Sequence, residues 1–408
     1  MKIRSITYFL NPGWPLQEET VRAAGKFLTL ARPAFEEAGY EVQSARLATV
    51  PFPRLISTRE TIGLLEFARD LESVASKYGY QYISLGPALP DVPESYQVIP
   101  AVLESTQNVF MSGIMSTQAT GISIPAIRLC ARVIHQAARH SPDGFTNLRF
   151  AALANVLPGS PFFPAAYHGE DSPAFALATE AADLAVDAFT NASSIHDGRE
   201  RLVTSLETHA QKLEEVAGRI SKGRQEKFLG IDFTLAPFPV DALSVGAALE
   251  RLGAPAAGKP GSLAASAILA DAIDRAQFKR TGFCGLMLPV LEDSILAKRA
   301  AQGSLTVREL LLYSAVCGTG LDTIPLPGDT TPDQLAAILL DLAALAQRLE
   351  KPLTARLMPI PGKSAGDPTN FEFAYFANSR IMALDASPLQ GLFSTEDRPF
   401  SLLRRKPL

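Results

Sequence analysis

The sequence predicts an α/β fold built on parallel strands. Strand-like apolar runs alternate with stretches whose apolar residues recur at helical spacing, and Gly, Pro or Asn turns separate the two. Roughly ten runs have strand composition, with no short repeat or low-complexity segment among them. Such alternation marks helices that cross over between parallel strands.

The chain opens on the strand KIRSITYFL, which ends at the turn Asn11-Pro12-Gly13. A helix runs from about Leu16 to Ala38 and stops at Gly39. EVQSARLAT is the next strand, Arg59 to Tyr78 a helix, and YISLG a strand ending at Gly86-Pro87. A short helix to Gln107, the strand VFMSGIMS and a helix from Ser123 to Ala138 continue the pattern. LRFAALANV reads as a buried strand and runs into the Pro-rich turn LPGSPFFPAAYHGE.

From about 173 to 222 the alternation pauses for two long helices with a polar break at Asn191 to Asp197. FLGIDFTLAPF resumes as a strand, and helices begin at Asp241 and Ser262. GFCGLMLPV is another buried strand, followed by helices from Asp293 and Thr306. After a constrained segment, Ser314 to Thr330, come a helix over 332–349, the strand LTARLMPI, the turn PGKSAGDPTN and a final strand pair in FEFAYFANSRIMAL. Residues 1–408 read as one domain with a helical excursion at about 173–222.

Composition narrows the function. The chain is 47% hydrophobic and 20% charged, ordinary globular values, and its net charge of −4 lacks the basic footprint of a nucleic-acid binder. Charges interrupt the apolar runs well short of a membrane span, as Asp341 does in LAAILLDLAALAQ. No leader-like apolar stretch precedes the first strand. Three widely spaced cysteines, Cys130, Cys284 and Cys317, suit a reducing compartment, so a cytoplasmic location is expected, with no membrane or nucleic acid as partner and a homo-oligomer left open.

The segment SAVCGTGLDTIPLPGDT carries the densest signals. Gly318, Thr319 and Gly320 follow Cys317 at once, so the backbone can turn tightly and present a thiol. Pro325 and Pro327 argue against a central strand, and the segment reads as a loop or bent hairpin. Ligands in α/β folds sit beyond the carboxyl ends of strands. That rule selects Asn11, Asn155, His168, Glu292, Asp293, Asp322, Asp329 and Lys363, and Asp232 joins them from within the strand FLGIDFTLAPF. Asp293 and Asp329 could equally cap the helices they precede, or serve as hard-metal ligands. Alternation along LTARLMPI puts Thr354, Arg356 and Met358 on one face, opposite Leu353, Ala355 and Leu357. Gly362-Lys363-Ser364 lacks the Gly of a phosphate loop at position 357, which is Leu, and no GxGxxG, HExxH or CxxC names a cofactor.

The segments NPGWPL, NLRFAALANVLPGSPFFPAAYH, LGIDFTLAPFP, GFCGLMLPVLED, VCGTGLDTIPLPGD and LTARLMPIPGKSAGD resemble, in order and over nearly the whole chain, those of the prokaryotic domain of unknown function family 711. That family is similar in fold to pyruvate formate-lyase and other glycyl radical enzymes. The resemblance implies a ten-stranded α/β barrel of two five-stranded halves, with a hairpin loop inserted into its lumen. VCGTGLD would then be that hairpin, with Cys317 as its reactive thiol. The Arg-Val-x-Gly-Tyr type motif that holds the glycyl radical is missing here, which removes radical chemistry from the expectation.

Taken together, these readings point to an enzyme acting on a small anionic metabolite in a polar pocket. Cys317, Asp322, Glu292 and His168 are the candidate catalytic groups; Asn11, Asn155, Asp232, Arg356 and Lys363 would bind substrate. Asp293 and Asp329 would be the metal ligands of a hydrolase or lyase reading, and a metabolite-sensing regulator is the other alternative.

Overall fold

In the computed structural model, which describes residues 1–56, 61–169 and 172–404, alternation shapes the first part of the chain. It runs β1 (Lys2–Leu10), α1 (Glu18–Glu37), β2 (Ala45–Thr49), α2 (Thr61–Lys77), β3 (Tyr82–Ala88), α3 (Glu94–Ser105), β4 (Val109–Thr117), β5 (Gly121–Ile122), α4 (Ile124–Ala137) and β6 (Phe150–Ala154). The remainder is β7 (Ala174–Glu180), α5 (Ala182–Thr190), α6 (Ile195–Ser221), β8 (Lys227–Asp232), α7 (Val245–Arg251), α8 (Ser262–Arg275), α9 (Ser294–Ala301), α10 (Val307–Tyr313), β9 (Gly320–Pro327), α11 (Pro332–Leu349), β10 (Leu353–Ile360) and α12 (Leu392–Thr395). The two residues with which the predicted 59–78 helix begins lie outside the described residues.

The strands form one ten-stranded mixed sheet in the order β8-β7-β1-β2-β3-β4-β6-β10-β9, with β5 paired to β4. Five neighbours, β1, β2, β3, β4 and β6, are mutually parallel. The pairs β7/β8 and β9/β10 are parallel as well, but β7 meets β1 and β10 meets β6 in antiparallel fashion. The sheet therefore contains two sets of strands running in opposite senses, which the prediction of parallel strands did not include.

Each strand is buried on both faces, as a sheet covered on two sides requires. Ile6, Tyr8 and Leu10 of β1 join the large core shared with the helices, while Phe9 joins a smaller cluster on the other face. Likewise Leu353, Ala355 and Leu357 pack with the helices and Met358 points away from them, as alternation along β10 predicts. What covers the second face is the turn after β6. Phe162, Phe163, Ala165, Ala166 and Tyr167 pack against Phe9, Ala48, Phe110, Ile114 and Leu153, and Ser84 Oγ donates to Ala166 O at 2.6 Å.

Several predicted elements differ. Residues 174–180 form a strand inside the expected helical excursion: the Ala-rich AFALATE carries no polar alternation to reveal it, and pairing with β1 decides its state. The polar break between the two helices of that excursion falls after Thr190, as predicted. Gly320–Pro327 is a strand in spite of its prolines, because β9 pairs with β10 on one side and makes only the isolated bridge Pro289–Asp322 on the other. Residues 282–290 are not a continuous strand. Gly282 and Cys284 take positive φ (70° and 43°); Arg280, just before the stretch, bridges Ile231 of β8, Leu286 bridges Leu235 beyond the end of β8, and Pro289 bridges Asp322 of β9. The predicted pair in 371–384 is absent as well, since Phe371, Phe376 and Ile381 collapse onto Leu148 and Met358 as an aromatic cluster.

Candidate ligand-binding site

A cavity of about 250 Å³ opens on the second face of the sheet. Because the two sets of strands run oppositely, it meets the beginnings of β1 to β4 and the ends of β7 and β8. Arg4, Arg46 and Tyr82 come from the first set, and Thr179 and Asp232 from the second.

Two β-bulges aim the charged side chains. Pairing of β1 with β7 slips between Ile3 and Ser5, which leaves Arg4 unpaired at the irregularity and among the cavity-lining residues. On β10, Ala355 pairs with Leu321 and Leu357 with Ile324, so Arg356 alone faces both Asp322 and Thr323; Thr323 takes the positive φ of 45° that this needs.

The result is an alternating chain of charges. Arg356 donates Nε to Asp322 Oδ1 at 2.5 Å and Nη2 to Glu292 Oε1 at 2.6 Å. The other oxygen of Glu292 accepts from Arg4, whose Nη1 also lies 3.5 Å from Glu180 Oε2. Burial pushes the Glu292 carboxyl up, but the guanidinium charges of Arg356 and Arg4 outweigh it and hold the group below its ordinary range. Asp322 has one cation where Glu292 has two: burial raises its pKa, Arg356 opposes this only in part, and the nearby Glu292 adds to the rise. Asp322 Oδ2 is buried with no hydrogen-bond partner among the described residues.

Asp232 stands apart from this chain. Its carboxylate accepts from Thr234 Oγ1 at 2.5 Å, Cys284 N at 2.8 Å and Phe283 N at 3.1 Å. The positive-φ turn at Gly282 makes the grip possible, since a Cβ on Gly282 would lie 2.3 Å from Asp232 Oδ2. Burial raises the Asp232 pKa against these hydrogen bonds, and among the described residues no cation pairs with it. It is a hydrogen-bonded, desolvated carboxyl in a cavity wall, the kind of group that can exchange a proton with a bound molecule.

Four guanidiniums line the cavity, and Arg149 gives its terminal nitrogens to the carbonyls of Leu103, Thr106 and Val109; among the described residues Arg46 is the one with no partner for them. Its guanidinium carbon lies 5.8 Å from the Tyr82 ring centroid and 5.2 Å from that of Phe163. Its Nε donates to Ser44 Oγ at 3.0 Å. Among the described residues neither terminal nitrogen has an acceptor, although each carries two N–H donors. Burial, then the charge of Arg4, brings its pKa down to about 10, so it stays charged at neutral pH.

Of the residues selected from sequence, Glu292, Arg356 and Asp232 line this cavity, and Asp322 sits directly behind Arg356. The others lie elsewhere. Asn11 and Asn155 follow β1 and β6 at the opposite end of the first set of strands: exposed Asn11 closes its own turn by accepting from Gly13 N at 3.0 Å, and Asn155 Oδ1 accepts from Gln347 at 3.0 Å. His168 is buried at that end too, its backbone N–H bonded to Thr49 O at 2.8 Å. Lys363 is on the turn after β10, outside the cavity lining, and its carbonyl accepts from Gly328.

Cys317 is also outside the lining, 1% exposed within the large core, so the thiol is not presented to a ligand. Its glycines serve close backbone approach: a Cβ on Gly318 would lie 2.5 Å from Gly285 Cα, and one on Gly320 would lie 2.4 Å from Thr354 O. Lys351 Nζ holds the preceding carbonyls, including that of Ser314 at 3.2 Å. The segment that lies over the second face is thus the Phe162-Phe163 turn and not the expected cysteine hairpin.

The pairing of Asp293 and Asp329 as metal ligands has no geometric support. Asp293 caps α9 through Ile295 N and Leu296 N and also accepts from Ser244 Oγ at 2.6 Å and Gly246 N at 3.2 Å. Asp329 is exposed on the turn before α11, where Thr331 supplies the cap. Among the described residues no three His, Cys, Asp or Glu side chains are grouped to hold a metal ion, and no helix is long and apolar enough to cross a membrane.

Sequence reasoning missed Arg4 and Arg46. The available signal was the one that found Arg356, an arginine in a strand otherwise buried on both faces.

Sheet and cavity together define an α/β protein with an arginine-lined cavity on one face of its sheet. The chain belongs to the DUF711 family, described as Uncharacterised ACR, whose sequence model matches residues 1–378. It is 32% identical over 394 residues to a UPF0210 protein of Pyrobaculum islandicum, covering 90% of this chain and 84% of that one. A UPF0210 protein of Pyrobaculum aerophilum is 33% identical over 367 residues (84% and 79% covered), and one of Desulforudis audaxviator 29% over 372 (87% and 82%). Every cavity-lining residue, from Arg4 to Tyr375, falls inside the matched span.

Proposed function

We propose that this protein is an enzyme that binds a small anionic metabolite in the cavity, Arg46 taking the negative charge and Asp232 exchanging a proton with the bound molecule. The observation that carries this is the half-buried guanidinium of Arg46, which has two terminal nitrogens and no carboxylate partner among the described residues. A guanidinium edge that opens on the cavity with no anion beside it is a ready partner for a carboxylate carried by a ligand. Arg4 and Arg356 are already engaged by Glu180, Glu292 and Asp322, so they set the shape and potential of the wall. No step of this chemistry needs a radical.

The bridges from residues 280–290 to both β8 and β9 support a sheet that closes on itself. The two senses of strand in the sheet support a barrel of two five-stranded halves, the arrangement that the glycyl radical enzyme likeness implies. In that reading the Phe162-Phe163 turn fills the lumen and forms the floor of the site.

Thermal unfolding of the protein with and without small carboxylates, for the wild type and Arg46→Gln, tests the assignment. An anion-dependent shift in the wild type that Arg46→Gln abolishes supports it. A shift of equal size in both would place the anion elsewhere.

A further inference from the structure

We infer, resting on the anion-site reading above, that the ligand is a single-ring carboxylate carrying a hydrogen-bond donor such as a hydroxyl or amino group. Three features of the cavity determine the three parts of that molecule.

The carboxylate follows from how Arg46 is held. The ring centroids of Tyr82 and Phe163 lie 5.8 Å and 5.2 Å from its guanidinium carbon, and Ser44 occupies Nε. What remains is the edge bearing the two terminal nitrogens, and a planar carboxylate accepts two parallel hydrogen bonds from such an edge.

The ring follows from the wall. Seven of the 24 lining residues are aromatic, against 8% of the whole chain. Phe110 and Phe163 meet edge to face at 5.4 Å, as do Phe145 and Phe373 at 5.1 Å across the cavity lining, so the wall is a framework of fixed rings. A strongly hydrated anion such as phosphate gains little there, whereas a flat apolar body finds edge and face contacts. At about 250 Å³ the cavity is small among ligand pockets, a size that suits a compact molecule built on one ring.

The donor follows from Gln43. Its Nε2 donates to Glu180 Oε2 at 2.9 Å, which fixes the amide's orientation. Its Oε1 is buried and receives no hydrogen bond among the described residues, although Gln43 lines the cavity. A buried acceptor of this kind calls for a donor from the bound molecule.

The probes are benzoate, the monohydroxybenzoates, benzamide, succinate and inorganic phosphate, each titrated calorimetrically against the full chain. One hydroxybenzoate isomer is expected to bind about tenfold more tightly than benzoate, the worth of one added hydrogen bond. Benzoate should in turn exceed succinate and phosphate, and benzamide should not bind. Gln43→Met is expected to erase the hydroxyl's advantage and leave benzoate binding intact, which also shows that the variant folds. Arg46→Gln should abolish both. Succinate or phosphate binding as tightly as benzoate would overturn the ring while leaving the anion site standing. Benzamide equal to benzoate would overturn the carboxylate and with it the anion site. No binding by any probe would defeat both.

Discussion

Glu292 Oε1 accepts a hydrogen bond from Arg356 Nη2 at 2.6 Å, which locks the loop before α9 onto the middle of β10. Both side chains are almost fully buried, and Arg4 holds the second oxygen of Glu292. Removing one member of a buried pair leaves a charge without an answer and costs about 3–5 kcal/mol. Glu292→Gln is therefore expected to lose stability in that range by urea denaturation. Asp322→Asn should lose less, because burial already disfavours its ionised form.

The same pair predicts a dependence on pH. The Glu292 pKa is lowered in the folded state, so its contribution is complete above the unfolded value of about 4.3 and is lost as pH falls through the folded value. Wild-type stability should fall with acid in that window, and that of Glu292→Gln should fall less steeply. Equal slopes in the two proteins would mean that Glu292 titrates normally.

Arg46 is expected to behave in the opposite way to Arg356. Arg46→Gln removes a partly buried cation that no carboxylate offsets, so unfolding stability should hold or rise by up to about 2 kcal/mol while anion binding disappears. Denaturant midpoints and calorimetric titration on the same preparation separate the two effects. A large loss of stability would make Arg46 a structural residue.

For the cysteine segment the prediction contrasts two neighbours. Gly318→Ala forces a Cβ to 2.5 Å from the Gly285 backbone and should cost about 1–3 kcal/mol, a penalty typical of overpacking. Cys317→Ala should leave anion binding unchanged. Loss of binding in Cys317→Ala with the fold intact would restore the thiol to the site.

Asp293→Ala should destabilise by about 2 kcal/mol or more, since it strips the cap of α9 and leaves Ser244 and Gly246 without an acceptor. Anion binding should survive in the folded fraction. A thermal shift with magnesium or calcium that Asp293→Ala abolishes would instead favour a metal there.

How much of this could be read from the sequence depended on which half of the sheet a residue came from. Glu292 follows a run of the second set, whose ends face the cavity, so the search beyond strand ends found it; Asp232 was picked inside the run FLGIDFTLAPF and proves to be the last residue of β8. Applied to β1 and β6, the same rule selected Asn11 and Asn155 at the far end, because antiparallel joints at β1/β7 and β6/β10 reverse the first set. Nothing local in the sequence announces such a reversal. Arg4 and Arg46 sit near strand beginnings and were legible only as charges in buried strands. The prolines of β9 misled for a physical reason, since a strand with one lightly paired side has room for them.

The most direct test of the anion site is native mass spectrometry of the protein purified gently from its own cells, wild type beside Arg46→Gln. The wild type should carry a small acidic molecule that is released on denaturation, and the variant, equally folded, should carry none. The same molecule retained in equal amount by both proteins would contradict the assignment of Arg46 and of the cavity around it.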